Sequence, residues 1–141
     1  MGFELSGPRG RMHLTTLMPT EEGVLAVVEE DATGTTAGWA VTAIGICAPL
    51  FDTQVDLGWN VSPTSSGTHS TMAVCPTGFD VTSSGGYVHD TSGSTGDLAL
   101  FSLNPAVYQG IHYGMASSLE VPPRTTADST LYSYVVCADL R

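Results

Sequence analysis

Val55-Asp56-Leu57-Gly58-Trp59-Asn60-Val61 alternates apolar and polar side chains along its length. Successive side chains of an extended chain point to opposite sides, so a period of two marks a strand with one apolar face. Pro63-Thr64-Ser65-Ser66-Gly67 closes it as a loop. Upstream, Val24-Leu25-Ala26-Val27-Val28 is an apolar run bounded by Gly23 and by Glu29-Glu30-Asp31, and it reads as a buried strand. A Gly/Thr turn over 32–38 leads into a further strand from Trp39 to Ala48. Downstream, strands are expected at Thr71–Val74, Phe79–Val81, Gly86–His89, Leu98–Leu103, Ile111–Met115 and Thr130–Cys137, with loops at 90–96 and 121–128. Pro105–Tyr108 and Ala116–Leu119 are the candidates for a helical turn, and at most one is expected to form.

About eight to ten short strands separated by Gly, Pro and Ser turns predict an all-β fold. The architecture is expected to be an antiparallel β-sandwich, a jelly roll or a prism-like arrangement. Residues 21–141 form one domain in this reading, and residues 1–20 an N-terminal arm.

The chain has 141 residues, of which 42% are hydrophobic, enough for a real core. Four basic against 14 acidic residues give a net charge of −10. Charged residues make up only 13%, so solubility rests on Ser, Thr, Asn and Gly. Lysine is absent, and the four arginines are Arg9, Arg11, Arg124 and Arg141. A cation-free stretch from Met12 to Pro123 argues against nucleic acid as a partner, because phosphate binding needs clustered cations. No apolar run approaches the roughly 20 residues that span a bilayer as a helix. A Thr/Ser/Gly-rich surface of low charge is common on extracellular β proteins and on virions; a GC-rich genome that avoids lysine codons explains the missing lysine equally well. The first residues lack the basic-then-apolar order of a signal peptide. That leaves retention in the cell, prior removal of a signal, or release without one, as when a phage structural protein leaves by lysis.

Two segments end alike: Ala43-Ile44-Gly45-Ile46-Cys47-Ala48-Pro49-Leu50 and Ser133-Tyr134-Val135-Val136-Cys137-Ala138-Asp139-Leu140. Each reads as an apolar strand followed by Cys-Ala-x-Leu, a pattern that an internal duplication would leave.

Val74-Cys75-Pro76-Thr77-Gly78-Phe79-Asp80-Val81-Thr82-Ser83-Ser84-Gly85-Gly86-Tyr87 resembles the Cys-Pro-x-Gly…Gly-Gly repeats of actinobacterial exported and surface proteins and of phage appendage proteins. In those repeats a later aromatic strand closes in Cys-Ala, as Tyr132-Ser133-Tyr134-Val135-Val136-Cys137-Ala138 does here. The resemblance covers residues 71–141, and Gly38-Trp39…Cys47-Ala48 is similar to the tail of a preceding unit. It implies a surface module and is silent about activity. Ser83-Ser84 ahead of the Gly-Gly pair departs from the pattern, as does the lack of a Cys-Pro-x-Gly before Cys47.

Within that motif Pro76 and Gly78 suit a tight turn that Cys75 can anchor to another strand. Gly85-Gly86 allows positive φ or close backbone approach. A Cys75–Cys137 disulfide would close a loop of 62 residues, worth ~4 kcal/mol in the chain-entropy model, and leave Cys47 as a buried thiol. In a reducing cytosol all three stay thiols.

Local chemical motifs are sparse. His13, His69, His89 and His112 have no zinc spacing, and no metal or cofactor is expected. Asp90-Thr91-Ser92-Gly93-Ser94-Thr95-Gly96-Asp97 offers oxygens for calcium but lacks the alternating ligands and closing Glu of a known loop, so it reads as a solvated turn. No catalytic elbow or phosphate loop is present. Adjacent acids such as Glu21-Glu22 and Glu29-Glu30 point to opposite faces of a strand, which spoils a glycosidase pair.

The leading expectation is a non-enzymatic structural or interaction module, self-associating in an extracellular or virion assembly such as a capsid decoration, tail or fibre. Its interface candidates are Arg9 and Arg11, meeting acidic surface on another copy, and Tyr132 and Tyr134, which share one face of the last strand. The second is a carbohydrate-binding module with Trp39, Trp59, Tyr87, Tyr108, Tyr113, Tyr132 and Tyr134 as stacking candidates, although alternation places Trp39 and Trp59 in the core. The third is a small β-barrel enzyme such as a cyclase, whose apolar cavity needs no local motif.

Overall fold

The computed structural model describes residues 1–7, 10–20, 22–31, 33–46, 55–62, 64, 67–91, 98–121 and 128–140, with backbone only for 55–58. Among them run ten strands: β1 (Gly2–Ser6), β2 (Met12–Thr20), β3 (Gly23–Glu30), β4 (Ala40–Ile44), β5 (Val55–Val61), β6 (His69–Val74), β7 (Asp80–Asp90), β8 (Leu98–Tyr108), β9 (Ile111–Glu120) and β10 (Ser129–Ala138). No described residue is helical. Every strand pair is antiparallel.

Five strands form one sheet in the order β3-β2-β7-β10-β5, and three form another in the order β6-β9-β8. β7 packs on β8 and β9, and β10 on β9 and β6, so the two sheets face each other as a β-sandwich. A small β1–β4 sheet lies outside this pair, and its Leu5 and Val41, with the nearby Trp39, pack against the core.

The inner row of β10 is Leu131, Ser133, Val135 and Cys137, all fully buried. Their cross-strand partners on β7 are Val88, Gly86, Ser84 and Val81. The core is therefore not continuous. Met12, Leu14, Leu17, Val28, Val88, Leu98, Leu100, Ala116 and Leu131 form one apolar cluster. Ala73, Cys75, Val135 and Cys137 form a second, joined by Phe79 and Val81. Between them the inner rows narrow to Ser133, Gly86 and Ser84 on one sheet and Gly114 on the other. A Cβ on Gly86 would stand 3.0 Å from Ala116 Cβ and 3.0 Å from Leu103 Cδ2. Neither Gly85 nor Gly86 adopts positive φ; at Gly86 it is close approach between sheets that the missing side chain permits.

The structure departs from the sequence reading at several points. Both candidates for a helical turn, of which at most one was expected to form, are strand: Pro105–Tyr108 lies in β8 and Ala116–Leu119 in β9. β8 is an edge strand, where the missing N–H of Pro105 costs no ladder bond. Gln109 (φ 50°) and Gly110 (φ 78°) then close a two-residue β8–β9 hairpin, both in the left-handed region that a type I′ turn requires. Phe79–Val81 and Gly86–His89, read as two strands, belong to the single β7 apart from Phe79, which precedes it. Residues 1–20, read as an arm, contain β1 and β2, and β2 supplies Met12, Leu14 and Leu17 to the core. A register shift between Leu14 and Thr16 puts core residues three apart, which breaks the alternation that identifies strands in sequence.

Candidate functional site

The alternation in β5 identifies the strand, but Trp59 and Val61 of its apolar row face away from the sandwich. Trp59 is the register partner of Tyr134, and Val61 that of Tyr132. Directly opposed residues share a face, and Tyr132 and Tyr134 lie on the side of β10 opposite its buried row of Leu131, Ser133, Val135 and Cys137. Trp59 is accordingly 65% exposed, and Val61 is exposed beside it. This corrects the core placement expected for Trp59. β5 is the edge strand of its sheet, and the Trp59 indole stands on the outer face of that edge.

The row continues onto β7. Tyr87 pairs with Tyr132 across the ladder, and their rings stack with centroids 5.7 Å apart and planes 22° apart. The Tyr87 hydroxyl and His89 Nδ1 share a hydrogen bond of 2.9 Å. Partial burial, then the neighbouring phenols of Tyr132 and Tyr87, raise the Tyr134 hydroxyl above its ordinary pKa of 10.0. Trp59, Tyr134, Tyr132 and Tyr87 thus occupy one sheet face. The paired row of Trp59, Val61, Tyr134, Tyr132, Gly85 and Tyr87 carries no Asp, Glu or Arg.

The remaining candidates lie elsewhere. Trp39 is half-buried against the core cluster, with its Nε1–H donating to Glu30 Oε1 at 2.6 Å. Tyr113 sits on β9 opposite Val74 and Ala106, in the other sheet. Tyr108 ends β8 at the hairpin tip and is exposed. Arg11 Nη1 lies 3.6 Å from Asp31 Oδ2, so its guanidinium has an acidic partner within the chain. Desolvation pushes the Asp31 carboxyl up, but the N–H groups of Thr33 and Gly34, and then Arg11, outweigh it and hold Asp31 below its ordinary value of 3.8. Arg9, Cys47, Glu21 and most of the 90–97 loop fall outside the described residues.

Cys75 and Cys137 are joined by a disulfide, with Cα atoms 5.7 Å apart. His112 Nδ1 lies 3.4 Å from Asp80 Oδ1 and accepts from the Val81 N–H at 3.3 Å. Among the described residues no three His, Cys, Asp or Glu side chains gather as a metal site. Among the described residues no helix is long and apolar enough to cross a membrane.

Sequence reasoning missed the far side of the β5 edge. Met72 and Val74 on β6 are exposed, and Asn60 Nδ2 donates to the Met72 carbonyl at 2.9 Å, holding the β5 and β6 edges together. Trp59 and Val61 on β5, and Met72 and Val74 on β6, are exposed apolar residues on the two strands that this contact joins. Short apolar residues in strands look alike in sequence whether they face in or out, and only pairing register separates them. Comparison with known proteins finds no matching family model, no similar curated protein and no similar solved structure.

Proposed function

We propose that the chain is a structural and interaction module, not an enzyme, that self-associates through the outer face of β5, β10 and β7. Its setting in this reading is an extracellular or virion-surface assembly of the decoration, tail or fibre kind. One observation carries the proposal: β10 is apolar on both faces, with Leu131, Val135 and Cys137 inside and Tyr132, Tyr134 and their partners Val61 and Trp59 outside. A contiguous exposed apolar surface loses water favourably when a second surface covers it. Tyr and Trp suit such a role because they bury much area at low entropy cost.

Charge favours this face too. Two copies at −10 each repel, and the aromatic row, which carries no formal charge, is where they approach with the smallest Coulomb penalty. The Cys75–Cys137 bond supports an oxidising setting.

Sedimentation equilibrium on the wild type and on Trp59→Ser and Tyr134→Ser tests the reading. The wild type is expected to assemble and both variants to dissociate while keeping the fold. A wild type that stays monomeric over the accessible concentration range overturns it.

Carbohydrate binding is the second reading, favoured by the exposed Trp59 indole next to Tyr134, a surface on which a pyranose face stacks. Saturable quenching of Trp59 fluorescence by oligosaccharides, lost in Trp59→Ser, would establish it.

A further inference from the structure

His89 is exposed two residues beyond Tyr87 on β7, so the two side chains share the outer face of the sheet. The Tyr87 hydroxyl oxygen and His89 Nδ1 lie 2.9 Å apart. Phenol is the stronger acid of the two and the bare imidazole nitrogen the stronger base. The O–H therefore donates, and the imidazole keeps its own proton on Nε2. Tyr132 stacks on the same phenol ring, with centroids 5.7 Å apart. Among the described residues no other tyrosine hydroxyl is bonded to a histidine, aspartate or glutamate. Tyr108, 64% exposed, instead accepts from Gln109 Nε2 at 3.4 Å, which leaves its own proton without a base.

We propose that Tyr87 is the preferred one-electron oxidation site among the tyrosines of this chain, with His89 as the acceptor of its proton. The oxidant is a one-electron acceptor, of the class of nitrogen dioxide or a haem-peroxidase intermediate. In the step the Tyr87 O–H bond breaks, the electron leaves to the oxidant and the proton crosses to His89 Nδ1. The products are a neutral phenoxyl radical and an imidazolium. A phenol without a bonded base passes instead through a strongly acidic radical cation, which costs more. The net charge of −10 favours the imidazolium that the transfer creates. The stacked Tyr132 ring turns its electron-rich face toward the electron-poor radical. Where nitrogen dioxide is the oxidant, the first molecule leaves as nitrite. A second adds to a ring carbon ortho to the oxygen, and the hydrogen of that carbon moves to the oxygen as the ring regains aromaticity. Tyr87 then carries a nitro group. This chemistry needs only a single chain and stands independently of self-association.

The test is nitration by nitrogen dioxide, generated from nitrite and hydrogen peroxide by a peroxidase, with the label located by peptide mass spectrometry. The full chain carrying Trp59→Ser is used, which removes the competing indole and the contact proposed above. Tyr87 is expected to nitrate ahead of the more exposed Tyr108. His89→Gln, added to that chain, retains a hydrogen-bond acceptor but offers no base. It is expected to lower nitration at Tyr87 about tenfold, the factor for one charge-assisted hydrogen bond, and to leave Tyr108 unchanged. His89 is exposed, so the exchange leaves the core intact. Nitration of Tyr108 ahead of Tyr87, or undiminished nitration of Tyr87 in His89→Gln, overturns the inference.

Discussion

A Cβ placed on Gly114 of β9 would stand 2.8 Å from the Cβ of Ser84 on β7, across the sandwich. The same position is 2.8 Å from the Tyr134 carbonyl oxygen, which belongs to a central strand and cannot easily give way. Gly114→Ala is therefore expected to destabilise the fold by about 1–3 kcal/mol, the usual cost of overpacking. Urea unfolding measures it. Gly38→Ala, where an added Cβ meets nothing within 4 Å, is the control and should change stability by less than about 0.5 kcal/mol.

The Cys75–Cys137 bond ties the segment following β6 to β10, linking the two sheets around the second core cluster. Its sequence separation is 62 residues, for which loop-closure entropy alone gives ~4 kcal/mol. Reduction, or replacement of both cysteines by alanine, is expected to lower unfolding free energy by about 2–4 kcal/mol. The check is the urea midpoint with and without reductant. An unchanged midpoint would mean that the bond does not form in the protein as made.

Much of this architecture was legible from side-chain order. The alternation in 55–61 and the runs in 24–28 and 130–137 each mark a real strand, β5, β3 and β10. β2 was not legible, because its register shift at Thr15 abolishes the period of two. Nor was the direction of the β5 stripe: Trp59 reads as core until its pairing with Tyr134 shows which side of β10 it joins. Tyr132 and Tyr134 were visible as a pair in sequence, but Tyr87 joins them only through a ladder contact 45 residues away in the chain, which local pattern cannot encode.

Asp31 gives the fold an acid dependence. Its carboxyl titrates below 3.8 in the folded chain, so the stabilisation it supplies is present above that value and is lost as pH falls through the lower folded one. Asp31→Asn retains an acceptor for the Thr33 and Gly34 N–H groups and removes the charge. Its destabilisation relative to wild type is expected to be constant near neutral pH and to shrink once pH drops below about 3.8. Thermal melts of both proteins across that range check it. A difference independent of pH would place the effect in packing.

Tyr134 works in the opposite direction. With its pKa raised above 10.0, the fold favours the neutral phenol; that contribution is complete below 10.0 and is lost as pH rises through the folded value. Tyr134→Phe is expected to hold its melting temperature to higher pH than the wild type. If copies meet through this face, the wild-type assembly should come apart over the same interval, as sedimentation at stepped pH would register.

A cross-link between positions 75 and 137 also makes the intervening chain a closed ring carrying β7, β8, β9 and most of β10. A protease that nicks the backbone once anywhere inside that ring releases no fragment: both pieces stay tethered, and the strands they carry stay in register. Beyond the ring a nick has no such safeguard. The molecule is thus armoured unevenly, with the strands inside the ring protected against single-hit cleavage and β1 to β6 relying on fold alone.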